Sequence, residues 1–143
     1  MAPVKRKESI NNICKEFGID ILYVFGSRSK EVATFLDEEG VTLPPGSSDV
    51  DVGLKLNPGK RLSVKEKALL AVLLEDFLGV NRVDLVILGD ADPFLAADII
   101  RGERVFAQDE EEANEYELFI LRRAGDLIPL ERERLRLIFK EEL

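Results

Sequence analysis

Two stretches decide the fold of this 143-residue chain, YVFGSRS at 23–29 and SDVDVGLKL at 48–56. In the first, an apolar run rich in β-branched and aromatic residues ends abruptly at Gly26 and Ser27. Such a run, bounded by glycine, predicts a buried strand over 20–26 that ends in a turn. The question is what this turn shares with the aspartates of the second stretch.

In the second stretch, polar and apolar residues alternate over 49–56, which predicts a strand with two different faces. Residues i and i+2 of a strand point to the same side, so Asp49 and Asp51 are expected to lie side by side. Two adjacent carboxylates repel each other, and a bound divalent cation would relieve that repulsion. Mg²⁺ takes oxygen ligands and commonly keeps substrate phosphates in its shell.

The remaining segments predict an α/β (α+β) fold in which one small mixed sheet is flanked by helices, within a single domain over 1–143. The first predicted elements, in chain order, are a helix over 4–17, the strand over 20–26, a helix capped by Ser27 or Ser29 that runs to about Glu39 before Gly40, a loop over 41–48 and the strand over 49–56. They are followed by a helix over 63–79 with Ser63 and Glu66 as a capping box, a strand over 82–89, a helix from Pro93 and a strand over 103–107. The last is a helical segment over 109–142 that is interrupted near Pro129.

A third acidic residue, Asp84, lies in the otherwise apolar run VDLVIL. The apolar character predicts a central strand, where an ionised carboxylate is costly unless it is paired or bound to metal. Asp84 is therefore a candidate to join Asp49 and Asp51 in one acidic cluster. Two metal ions about 3.5–4 Å apart can bridge such carboxylates during phosphoryl-type transfer.

The turn after the first strand has the properties of an anion cradle. A strand that ends before a helix start presents free backbone N–H groups and the positive end of the helix dipole. Gly26 allows a phosphate to approach the backbone, the Ser27 hydroxyl can donate to it, and Arg28 adds charge. Turn and acids together predict a site for a nucleoside triphosphate.

Each feature also has an ordinary structural interpretation. A Gly-Ser pair after a strand is commonly a plain turn. Alternating aspartates are commonly the solvated face of an edge strand, and Asp84 could be a salt-bridged core residue. The combination, in this order, is more specific than any of its parts.

Composition narrows the chemistry further. The chain has no histidine, which excludes His-based zinc sites, Ser–His triads and His general bases. Its net charge of −8 argues against strong non-specific binding to nucleic acid. The single cysteine, Cys14, favours a reducing, cytoplasmic location without disulfides. The apolar runs are too short for a membrane span, and the N-terminus lacks the apolar stretch of a secretory signal.

VFGSR, SDVDVGLKL and VDLVIL together resemble the minimal nucleotidyltransferases of the DNA polymerase β superfamily, over about residues 8–107. The resemblance implies that Gly26 and Ser27 bind the triphosphate of a nucleotide. It also implies that Asp49 and Asp51 hold Mg²⁺, as two ions in the family pattern, and that Asp84 completes the metal-binding and catalytic triad and helps to activate the acceptor hydroxyl.

The chain departs from the family pattern between the turn and the first acid. Arg28 to Ser48 make a longer connection than the family usually has, and Glu31 stands where a glycine is common. Lys30 supplies the basic residue of the pattern and is a further candidate for binding phosphate. The longer connection is expected to reshape the mouth of the pocket.

Short stand-alone members of this family often pair with a small all-helical HEPN protein, and several such pairs are toxin–antitoxin systems. The resemblance therefore implies a transferase that moves AMP from ATP onto a tyrosine of its partner. The alternative is a non-catalytic module that neutralises a partner by contact. Within 109–142, the apolar residues either cover the sheet or form a face for a partner or a second copy; they are Tyr116, Phe119, Ile120, Leu127 and Ile128.

Overall fold

The computed structural model describes residues 6–38, 40–44 and 49–142. Four strands and five helices follow one another in the predicted order, so the predicted mixed α/β fold is confirmed. The elements are α1 (Arg6–Glu16), β1 (Ile19–Phe25), α2 (Ser29–Asp37), β2 (Val50–Leu56), α3 (Val64–Leu78), β3 (Val83–Ile87), a 3₁₀ turn (Leu88–Asp90), α4 (Pro93–Ile100), β4 (Glu103–Ala107) and α5 (Glu110–Glu142). The predictions for residues 1–5, 39, 45–48 and 143 lie outside the described residues.

The four strands form one sheet in the order β3-β2-β1-β4. Strand β1 pairs antiparallel with both β2 and β4, whereas β2 and β3 are parallel. The parallel pair requires a crossover, and α3 supplies it. This topology brings the C-terminal end of β1 next to the N-terminal ends of β2 and β3.

Helices cover both faces of the sheet. On one face, the alternate apolar residues of β2 pack against α1, α2 and α3; they include Val50, Val52 and Leu54. On the other face, Ile21 and Tyr23 pack with α4 and α5. The predicted alternation of β2 is therefore confirmed, and its polar face lies on the α4 side of the sheet.

The middle of that polar face is closed by close packing. A Cβ atom added to Gly53 would collide with the Ile99 side chain of α4, so only glycine fits there without rearrangement. Ile99 is fully buried. Helix α4 thus contacts β2 at Gly53, between Asp51 and Lys55 on the same face of the strand.

The predicted helix ends are confirmed at α3, whereas the predicted cap of α2 is not. Ser63 and Glu66 form the predicted capping box of α3, and Gly79 ends that helix in the left-handed conformation with φ of 71°. The predicted cap of α2 by Ser27 or Ser29 is wrong, because Arg28 occupies the N-cap position and no side chain caps the helix.

Strand β3 is an edge strand, so the prediction of a central strand for Asp84 is wrong. The apolar residues of β3 pack under α3 or towards α4 because helices cover both faces even at the edge; they are Val83, Leu85, Val86 and Ile87. The carboxylate of Asp84 therefore reaches solvent, and its side chain is 40% exposed.

Helix α5 is continuous across Pro129, so the predicted interruption is wrong. A proline removes one helical hydrogen bond and crowds the carbonyl four residues earlier. That carbonyl belongs to Gly125, and both positions are exposed, so water can satisfy it.

Helix α5 is anchored to the sheet by its first half. Ala113, Ile120 and Ala124 are buried against the α4 face. The buried Tyr23 hydroxyl donates to Glu117 Oε2 at 2.7 Å, and Arg104 Nη1 donates to the same oxygen at 2.9 Å. Beyond this anchor most side chains are exposed, including Leu130 and Phe139. Within the described residues, no helix is long and apolar enough to cross a membrane.

Candidate active site

The predicted turn and acids meet at one end of three neighbouring strands. In the pairing of the sheet, Phe25 lies opposite Asp51, and Asp51 lies opposite Asp84. Asp49 directly precedes β2 at the same end. The Gly26-Ser27 turn follows Phe25, so the sheet brings all these residues together at one end of its strands.

Gly26 and Asp51 fit closely together. Gly26 has a φ of 80°, which L-residues with a side chain rarely adopt. A Cβ atom at this position would lie 2.5 Å from Asp51 Oδ2, closer than van der Waals contact permits. The glycine therefore serves two purposes, because it allows the sharp turn and leaves room for the carboxylate.

The turn leads directly into α2 with an uncapped helix start. The Ser29 N–H donates to the Gly26 carbonyl at 3.3 Å, and no side chain accepts a hydrogen bond at the N-cap. Gly26, Ser27 and Lys30 are exposed. Uncapped first-turn N–H groups, an exposed hydroxyl and a nearby ammonium form the kind of surface that binds phosphate.

Arg28 is placed differently from the other residues of the turn. Its side chain is buried, and Nη2 donates to the Pro44 carbonyl at 2.5 Å while Nε pairs with Glu31 at 3.4 Å. These contacts tie the long connection after α2 to the turn. Phosphate binding by Arg28 stays a prediction, as it does for Gly26, Ser27 and Lys30.

The acidic cluster carries unfavourable electrostatics. The pKa of Asp51 is raised, first by partial burial and then by the charges of Asp84 and Asp49. The two neighbours are more open, since the side chain of Asp49 is 39% exposed and that of Asp84 is 40% exposed. The cluster therefore favours a nearby cation.

Arg82, which sequence reasoning missed, supplies part of that positive charge. Its Nε lies 3.1 Å from Asp84 Oδ1 and 3.6 Å from Asp49 Oδ2. Arg82 precedes Asp84 by two residues on the same strand edge, so the i, i+2 rule could have identified it. The guanidinium bridges two of the three candidate metal ligands.

The residues fit a hard divalent cation that is completed by its substrate. Within the described part of the chain, no group of three acidic, cysteine or histidine side chains is arranged to hold a metal alone. Mg²⁺ is commonly bound by one or two carboxylates, with water and substrate phosphates as its other ligands. The clustered aspartates and the adjacent phosphate-type turn provide that donor set.

Comparison with known proteins agrees with this geometry. Residues 8–111 match the family model described as polymerase beta, nucleotidyltransferase. The chain therefore belongs to the polymerase β nucleotidyltransferase family, as its sequence pattern predicted. None of the curated proteins matches the chain significantly in sequence.

Solved structures of low sequence identity share the fold over nearly their whole length. One is a toxin–antitoxin complex with AMP-PNP, with a TM-score of 0.63, 20% identity, and coverage of 96% of this chain and 98% of that chain. Another is the tri-AMPylated HEPN toxin of Shewanella oneidensis in complex with its MNT antitoxin, with a TM-score of 0.62, 17% identity, and coverage of 96% and 97%. At these identities the likeness establishes the fold.

Proposed function

We propose that this protein is a Mg²⁺-dependent adenylyltransferase that moves AMP from ATP onto a hydroxyl of a protein partner. The observation that carries the proposal is that the Gly26-Ser27 turn lies next to Asp51 and Asp84 at one end of three neighbouring strands. Membership of the nucleotidyltransferase family supports the reaction class.

In this proposal, each residue has a distinct part. Ser27, Lys30 and the first-turn amides of α2 hold the triphosphate, and Asp49 and Asp51 hold the metal. When bound, Mg²⁺ would neutralise phosphate charge and lower the pKa of the attacking hydroxyl. Asp84 accepts the proton of that hydroxyl. The acceptor oxygen bonds to the α-phosphorus, the bond to the β-phosphate breaks, and pyrophosphate leaves.

The partner we propose is a small helical HEPN protein, with a tyrosine as the acceptor. The fold neighbours support this assignment, because one is a complex of a tri-AMPylated HEPN toxin with its MNT antitoxin and another is a toxin–antitoxin complex with AMP-PNP. The net charge of −8 also favours a protein acceptor over an unaided grip on a polynucleotide. This protein would then act as the antitoxin of the pair.

The test is to incubate the protein with ATP, Mg²⁺ and a HEPN protein encoded beside its gene, and to weigh that partner by mass spectrometry. We expect a gain of one or more AMP units, lost in the Asp84→Asn and Asp49→Asn/Asp51→Asn variants. Asp126→Asn, an exposed change on α5, is the matched control and should retain transfer.

The variants also distinguish catalysis from contact. Asp84→Asn should slow transfer with little effect on ATP binding, because its part lies in the chemical step. An unmodified partner that the double variant still binds and neutralises would overturn the transferase and favour a module that acts by contact.

A further inference from the structure

A second cavity lies at the end of β2 that is remote from the acids. Its volume is about 480 Å³, and its walls come from the β2–α3 turn, the first turns of α3, the end of β3 and the ring of Tyr116. Lys55 and Asp51 are four residues apart on the same strand, which places them about 13 Å from each other. The Gly53–Ile99 contact lies between them, so the cavity is separate from the candidate active site.

The cavity is lined by cations in an otherwise acidic protein. Four of the lining residues are basic, and Asp90 is the acidic one among them; the basic residues are Lys55, Lys60, Arg61 and Lys67. Two of these charges are already balanced, since Lys55 pairs with Asp20 at 2.8 Å and Lys60 pairs with Glu66 at 3.4 Å.

The other two cations remain available to a ligand. Within the described residues, Arg61 and Lys67 form no ion pair, and both are exposed at the cavity. Arg61 directly follows a turn in which the Lys60 N–H donates to the Asn57 carbonyl at 2.9 Å and Gly59 has a φ of 78°, whereas Lys67 lies in the first half of α3. Two cations on the wall of one cavity are a suitable binding surface for a phosphate group.

One further group on the wall suits a nucleoside. Tyr116 lines the cavity with a half-buried ring, and the Lys55 ammonium lies 5.4 Å from the centroid of that ring. The ring offers a flat surface on which a base can stack beside this cation.

From these observations we propose that the cavity binds a nucleoside phosphate, with the phosphate on Arg61 and Lys67 and the base on Tyr116. The N-terminus of α3 is not part of the argument, because Ser63 and Glu66 already cap it. The site needs no metal ion, since its charges come from side chains. The proposal does not depend on the transferase function.

The experiment is a calorimetric titration in EDTA with AMP, inorganic phosphate and adenosine in turn. We expect AMP to bind at least about tenfold more tightly than either fragment, because only AMP uses both the cations and the stacking surface. Arg61→Gln/Lys67→Gln should weaken AMP binding at least about tenfold. Tyr116→Leu should remove the advantage of AMP over inorganic phosphate, after thermal melting confirms that the variant folds.

Two controls assign the binding. Arg122→Gln/Arg132→Gln removes the same charge from exposed positions on α5, and Ser27→Ala/Lys30→Gln alters the phosphate turn of the candidate active site; both should leave AMP binding in EDTA unchanged. Loss of binding in the Ser27/Lys30 variant would overturn the proposal by placing AMP in the active site. Equal affinity for AMP and inorganic phosphate, or no binding of AMP, would also overturn it.

Discussion

The two ends of strand β2 carry opposite charges and balance them differently. At the N-terminal end, Asp51 lies beside Asp84 and Asp49, and its pKa is raised first by partial burial and then by both neighbouring charges. At the C-terminal end, Lys55 has its own carboxylate partner, Asp20, at 2.8 Å. Charges that serve only the fold are commonly paired, as Lys55 is. Three clustered carboxylates beside the guanidinium of Arg82, which pairs with two of them, indicate a site at which further positive charge comes from a ligand.

The largest effect on stability is expected at Gly53, which lies between the two ends of β2. Gly53→Ala should lower the free energy of unfolding by about 1–3 kcal/mol, because the added methyl collides with Ile99. Chemical denaturation measures this change. Gly89→Ala is the control, since nothing lies within 4 Å of its added methyl.

A double-mutant cycle tests whether Ile99 is the cause. Gly53→Ala/Ile99→Ala should be destabilised by less than the sum of its single variants, because the second change removes the collision. A Gly53→Ala variant as stable as the unmodified protein would show that the packing of Ile99 against β2 adjusts to the added methyl group at no cost.

A smaller effect is expected at the acidic end. In EDTA at pH 7, Asp51→Asn should raise the free energy of unfolding by no more than about 1 kcal/mol, because it removes like-charge repulsion at a solvent-screened site. The matched control is Asp126→Asn, which should change it little.

The same variant predicts a pH dependence. The pKa of Asp51 is raised on folding, so above the unfolded-state value of about 3.9 the folded protein binds more protons than the unfolded chain. The contribution of Asp51 to the free energy of unfolding therefore falls as the pH rises from the unfolded-state pKa to the folded-state pKa. The advantage of Asp51→Asn should shrink as pH falls below that window, and a constant advantage would contradict the electrostatic cause.

The smallest effect is expected from the bridge across the acids. Arg82→Gln should tighten Mn²⁺ binding, because the change frees the carboxylates of Asp49 and Asp84 from their ion pairs with the arginine. The gain should be only roughly two- to fivefold, because exposed ion pairs are weak. Calorimetry with Mn²⁺ measures this affinity. Arg101→Gln, which removes an exposed pair with Asp98, should leave it unchanged. Weaker Mn²⁺ binding in Arg82→Gln would mean that the arginine orients the ligands.

The sequence predicted those features that depend on neighbouring residues. Alternation over β2 gave its two faces, and the Ser63–Glu66 pair gave the start of α3, because strand period and capping are local. The cost of a charge within the apolar run VDLVIL made Asp84 a candidate to join Asp51, and the two residues lie opposite each other in the pairing of β2 and β3.

The rest depended on contacts between distant segments. VDLVIL is apolar because helices cover both faces of β3, which does not require a central position. Arg28 reaches Pro44, sixteen residues along the chain, a contact that no local pattern signals. The predicted interruption of α5 at Pro129 is wrong because water can satisfy the exposed backbone carbonyl that the proline leaves without a hydrogen bond.

The close contact of Gly26 with Asp51 has a thermodynamic consequence. The turn that would hold phosphate and the carboxylate that would hold metal share one boundary, at which a single methyl group would not fit. Two ligands bound across such a boundary are linked, so the factor by which metal tightens nucleotide binding equals the factor by which nucleotide tightens metal binding. A protein built this way would keep its metal while nucleotide is abundant and release it when nucleotide is scarce.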